Sequence, residues 1–133
     1  MRNGGGTVLI AYDGSPEAKR ALAEAAVFAR RGRRVAVLHV IPAQSVGSRL
    51  VTVSEAQEEE QRRLLSEAAR LLSREGVDVD TVGMAGDPLR EILALAEELD
   101  ARLVAVGGHR HQFRHGIGDR LVRRACCDVL VVR

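Results

Sequence analysis

The densest concentration of chemistry in the chain is Gly107-Gly108-His109-Arg110-His111-Gln112-Phe113-Arg114-His115-Gly116-Ile117-Gly118. It holds three of the four histidines, two arginines and four glycines. Glycines between a strand and a helix N-terminus suit a phosphate cradle built from backbone N–H groups. From Gly107 to Arg124 five arginines face one acid, Asp119, a local charge of +4. Such a charge could hold a triphosphate or, weakly, a nucleic-acid backbone, and it equally fits a solvated loop with no ligand. His109, His111 and His115 have the ligand type for a metal. The flanking arginines repel a cation and no acid lies in the run, so no metal site is expected.

Asp13, directly after an apolar run, admits two readings: a cap or turn carboxylate for the following helix, or an acceptor for a ligand hydroxyl or amine in a crevice. Gly86 and Asp87 invite the same pair, and helix capping alone would explain Asp87. There is no phosphate loop ending in Gly-Lys-Ser/Thr and no dinucleotide fingerprint after the first strand. Neither Ser15 nor Ser45 sits in a nucleophile elbow, and His39 reads as packed or paired inside a strand rather than as a base. No catalytic residue is expected.

These residues need elements to hold them, and period and punctuation supply five strands separated by four helices. Thr7 to Tyr12 is a continuous apolar run of the kind that forms a central parallel strand. Ser15 is a cap candidate, Pro16 stands at the first helical position, and Ala18, Ala21, Leu22, Ala25, Ala26 and Ala29 form one helical face ending near Gly32. Arg34 to Ile41 reads as the second strand, stopped by Pro42, and residues 43–53 read as a loop, flexible around Gly47.

Ser54 and Gln57 have capping-box spacing before a helix that runs to Glu75 and stops at Gly76, with an acidic, solvated start. Val77 to Met84 alternates like an edge strand. Gly86-Asp87-Pro88 opens a helix to about Leu99, Arg102 to Val106 is the fourth strand, a short helix passes through Leu121, Val122 and Ala125, and Asp128 to Val132 is the last strand. The expected fold is α/β: an open, five-stranded, mostly parallel sheet with helices on both faces, Rossmann-like. Ligands of such sheets bind beyond the carboxyl ends of the strands flanking the switch point, here the loops 13–15, 42–53, 85–87 and 107–118.

The chain's 133 residues are one domain, expected to span 1–133 with residues 1–6 a flexible N-terminus. With 46% hydrophobic residues and a net charge of +2, the composition excludes a disordered chain, a strongly basic nucleic-acid binder and an acidic tail protein. No stretch approaches the roughly 18 apolar residues of a membrane span. The start carries no apolar leader core, and a cytoplasmic location is expected. Cys126 and Cys127 are adjacent, so no disulfide framework is expected.

In order and spacing the chain resembles the universal stress protein family. The resemblance is carried by Val8-Leu9-Ile10-Ala11-Tyr12-Asp13-Gly14-Ser15, by Leu38-His39-Val40-Ile41, by Gly86-Asp87-Pro88, and by Val104-Ala105-Val106-Gly107 with the close Leu121 to Val132. It implies an adenine nucleotide alpha hydrolase-like fold and a homodimer formed by pairing the C-terminal strand 129–132 across a two-fold axis. Some members bind ATP through a glycine, two residues, a glycine, nine residues, then glycine with serine or threonine. Here Gly107 matches the first glycine and Arg110 stands at the second. The third matches at Gly118 only if the loop is two residues shorter, and its partner is then Asp119 rather than a hydroxyl.

Arg110 would obstruct a close backbone approach. Asp119 would set a carboxylate near the β- and γ-phosphates and would instead cap its own helix. Asp13, Val40 and Gly86 match the nucleoside side better.

The resemblance therefore implies ATP or another adenine nucleotide, with or without Mg²⁺, as ligand. Asp13 would contact ribose or base, Val40 would line the adenine slot, and Gly107, His109, Gly116 and Gly118 would shape the phosphate region, with Arg110 and Arg114 compensating for the lost glycine. The alternative is a dimeric adaptor of the same fold that binds a protein and no nucleotide. A third expectation, slow ATP hydrolysis, is the most that catalysis could amount to. No membrane or nucleic-acid partner is expected.

Overall fold

The computed structural model describes residues 6–30, 32–43, 45–46, 49–50, 52–108 and 116–133. The first strand, β1 (Thr7–Ala11), is followed by α1 (Pro16–Ala29), β2 (Arg34–Pro42) and a small antiparallel ribbon of β3 (Ser45–Val46) and β4 (Arg49–Leu50). Then come α2 (Glu55–Arg74), β5 (Val79–Gly86), α3 (Pro88–Glu98), β6 (Ala101–Gly107), α4 (Ile117–Arg124) and β7 (Asp128–Val132).

Five strands form one sheet in the order β5-β2-β1-β6-β7, and every pairing in it is parallel. The chain moves one way from β1 through β2 to β5, then returns past β1 to β6 and β7. Right-handed crossovers therefore put α1 and α2 on one face and α3 and α4 on the other. The core shows it. Val8 and Ile10 pack with Ala18, Leu22, Leu64 and Ala68, whereas Leu9 and Leu38 pack with Leu89, Ile92 and Leu121. Alternate residues of a strand point to opposite faces. Val8, Leu9 and Ile10 are all fully buried, so the unbroken apolar run belongs to a strand covered on both sides.

The alanine face of α1 is buried and lets the helix lie close to the sheet, over β1, β6 and β7. Ser15 caps α1, the Ser54–Gln57 capping box starts α2, and Asp87 caps α3, accepting from the Arg90 N–H at 3.0 Å.

Two expectations change. Residues 43–53 are not loop throughout, because Ser45 pairs with Leu50 and Val46 with Arg49. Runs this short carry no detectable period. Gly47 lies outside the described residues. The third sheet strand begins at Val79 rather than Val77, whose side chain is buried under α2, and extends to Gly86. Among the described residues no helix is long and apolar enough to cross a membrane.

Candidate functional site

Past the end of β1 the chain turns sharply. The Asp13 carboxylate accepts the Ser15 N–H at 2.9 Å, closing an Asx turn, and the Ser15 hydroxyl accepts the Ala18 N–H at 3.1 Å. Capping of α1 is thus the work of Ser15, while Asp13 orders the loop and stays exposed. Gly14 takes φ +80°, and a Cβ there would lie 2.5 Å from the Leu64 Cδ2, so this turn needs glycine.

The turn forms one wall of a cavity of about 710 Å³ at the carboxyl ends of the strands. Its floor is the end of β1 and the end of β6, the two strands between which the sheet order reverses. Leu38, Val40 and Pro42 of β2 with Pro88 and Ile92 of α3 give it an apolar side. The opposite side is Gly116 to Asp119 at the start of α4, with Val131 of β7 and Arg133 just beyond that strand. Small-molecule clefts commonly occupy about 300–1,000 Å³ and sit at such switch points.

Of the residues singled out from sequence, Asp13, Val40, Gly107, Gly116, Gly118 and Asp119 line this one cavity. Gly86 is not among its lining residues. It ends β5, and its carbonyl accepts the Ala43 N–H at 3.1 Å. His109, Arg110 and Arg114, with His111 and His115, lie outside the described residues.

The expected capping by Asp119 does not occur. The N-cap of α4 is Gly116, without a side-chain cap bond, and Asp119 lies three residues further on, exposed in the first turn. The helix starts earlier than Asp119 because Ile117 and Leu121 together cover the sheet face. A carboxylate in the first turn still opposes the positive end of the helix dipole.

The glycines divide by role. A Cβ on Gly107 would come 2.5 Å from the Ala18 nitrogen and 2.7 Å from the Glu17 carbonyl carbon, so this glycine lets the end of β6 touch the first turn of α1. A Cβ on Gly118 would press on Val131 at 2.9 Å, whereas one on Gly116 would meet open space.

Charged and polar groups around the cavity are few. Asp13, His39, Asp119 and Arg133 are the acidic and basic side chains that line it among the described residues. His39 is half-buried, and burial holds its imidazole below the usual histidine value against the opposing fields of Asp13 and Glu60. The buried Tyr12 ring carries its hydroxyl to the Glu67 carboxylate on α2; burial, then that hydrogen bond, push the phenol far up. Sequence reasoning missed Ile92, Pro88, Val131 and Arg133 as lining residues. The last two had no local signal: the parallel pairing of β7 with β6, Val131 opposite Val106, brings them there.

A doubly wound parallel sheet with its cavity astride the switch point defines an α/β domain of the Rossmann-like kind. Residues 6–133 match the model of the Universal stress protein family, and the chain belongs to that family. Three solved structures agree. The universal stress protein from Archaeoglobus fulgidus is 24% identical with a TM-score of 0.81, over 96% of this chain and 93% of that one. A structure of the Archaeoglobus fulgidus protein in complex with dAMP is 26% identical with a TM-score of 0.78, over 96% and 97%. A family protein from Burkholderia pseudomallei is 27% identical with a TM-score of 0.76, over 96% of each chain. No curated protein matches the chain.

Proposed function

We propose that this universal stress protein binds an adenine nucleotide in the switch-point cavity and acts as a dimer in a stress response. The observation that carries the reading is the lining of that cavity, apolar along Leu38, Val40 and Ile92 on one side and formed by the side-chain-free cap of α4 on the other. A base fits the first and a phosphate the second. The 26% identical relative in complex with dAMP supports an adenine nucleoside monophosphate as the ligand class.

In this reading Asp13 accepts from ribose or base, Val40 lines the base, and the backbone from Gly116 to Gly118 donates to phosphate. Asp119 disfavours further phosphates, since its carboxylate stands in the first turn that they would approach. The protein is a binder rather than a catalyst, and turnover of ATP stays at blank level with Mg²⁺ or Mn²⁺.

Isothermal titration of nucleotide-stripped protein with AMP, then with ATP with and without Mg²⁺, tests the reading. AMP is expected to bind at micromolar concentration and ATP more weakly. Asp119→Ser is expected to strengthen ATP binding by roughly tenfold, about 1.4 kcal/mol, and AMP binding by less. Silence with every nucleotide overturns the proposal in favour of a dimeric adaptor with a protein partner, a reading that the Asp119 carboxylate at the phosphate end favours.

A further inference from the structure

The edge of the sheet beside the cavity holds an arrangement with no counterpart elsewhere among the described residues. The side-chain amide nitrogen of Gln61, on α2, lies 3.0 Å from the His39 carbonyl of β2 and 2.9 Å from the Met84 carbonyl of β5. It lies 2.9 Å from His39 Nδ1 as well. Two amide hydrogens thus serve three acceptors. An oxygen in that place would face two carbonyl oxygens, so the amide has one tolerable orientation. The orientation in turn decides the imidazole: Nδ1 must present its lone pair, and the ring proton stays on Nε2.

The amide has room because residue 83 is glycine. A Cβ on Gly83 would lie 2.4 Å from Gln61 Oε1 and 2.8 Å from its Cδ. His39 is opposite Gly83 in the β2–β5 register, and Val40, the next residue, is opposite Met84. Val40 is also a wall of the cavity.

We propose that Gln61 and His39 are a positioning pair for the base-binding wall of the cavity: the Gln61 amide, seated over Gly83, ties the carboxyl ends of β2 and β5 together and keeps the Val40 wall in place only while His39 is neutral. The proposal rests on the nucleotide-binding reading above. A second proton on His39 would put an N–H on Nδ1 against the amide N–H. The amide would then turn or leave, and both carbonyl bonds would go with it. Asp13 from the loop after β1 and Glu60 from α2 face the ring and favour that second proton, while burial opposes it more strongly. On β5 the residues level with His39 and Val40 are Gly83 and Met84, neither titratable.

The test uses ¹⁵N-labelled full-length protein, with the His39 ring nitrogens followed by NMR against pH and AMP affinity measured over the same range. Gln61→Met removes the donor. Gly83→Ala displaces the amide while leaving both partners in place, and the group it displaces is the end of a flexible side chain, so the strand survives. Wild type is expected to show the Nε2–H tautomer and AMP binding that weakens as His39 protonates below its ordinary value of about 6.5. Both variants are expected to raise the His39 titration toward that value, weaken AMP binding by roughly tenfold at neutral pH and keep a cooperative unfolding transition.

An Nδ1–H tautomer, or a titration that neither variant moves, overturns the clamp with or without a ligand. A clamp signature with unchanged AMP affinity in the variants overturns its role in positioning. A clamp signature in a wild type that binds no AMP overturns the nucleotide reading and reduces the pair to a structural tie.

Discussion

Gly107 shows how one residue type can be read for chemistry and serve packing. The α1 backbone occupies the space of its missing Cβ, at 2.5 Å from the Ala18 nitrogen, and backbone cannot swing aside as a side chain can. Gly107→Ala must lift the start of α1 off β6. Overpacking of this kind costs about 1–3 kcal/mol, which urea denaturation would register as a lowered midpoint at unchanged slope. An alanine at Gly116, where nothing lies within 4 Å, meets no such obstacle. A midpoint unmoved by Gly107→Ala would mean that β6 and α1 do not touch as described. In sequence both residues look like parts of one glycine cradle, because a glycine's neighbours in space leave no mark on its neighbours in the chain.

The element whose side chains join β2, β5 and Tyr12 is α2. Its start was legible: Ser54 and Gln57 form the reciprocal capping box, with the Gln57 N–H donating to the serine hydroxyl at 3.2 Å and the Ser54 N–H donating to the glutamine oxygen at 3.0 Å. Ser54→Ala is expected to cost about 1 kcal/mol in thermal or urea unfolding, and no measurable loss would show that α2 is held by its packed face alone. That face is Leu64, Leu65, Ala68 and Leu72. The exposed pairs Arg62–Glu59 and Arg63–Glu60 add little, since exposed ion pairs contribute about 0–1 kcal/mol. What the sequence could not show is that Gln61 and Glu67 of the same helix serve β2, β5 and Tyr12. Their partners are 22 or more residues away, and neither interaction has a local pattern.

For the molecule entire, the strand order leaves β5 and β7 as the two edges. Val129 to Val132 are half-exposed, and a long apolar edge invites pairing with another chain. The proposed dimer uses β7, and sedimentation is expected to give twice the 14.4 kDa chain mass. Val131 is a poor place to disrupt it, because its methyls already fill the space over Gly108 and Gly118 inside the protomer. Val132→Lys sets a charge on the edge and is expected to shift the protein to monomer. A wild type that sediments at the single-chain mass would remove β7 as the dimer edge.

Sequence alone determined the α/β class, the alternation of five sheet strands with four helices, and the caps at Ser15, Ser54 and Asp87. All of these follow from period, propensity and hydrogen bonds within a few residues. It also placed Asp13, Val40, Gly107 and the start of α4 at one end of the sheet, because parallel strands put all their carboxyl ends on one side. Only the tertiary structure decided the order β5-β2-β1-β6-β7, gave Gly107 and Gly118 their packing roles, left α4 capped by Gly116 rather than Asp119, and brought Gln61 onto His39. The physical reason is common to them. Each depends on groups distant in the chain and adjacent in space, where burial and hydrogen-bond satisfaction override what any local stretch prefers.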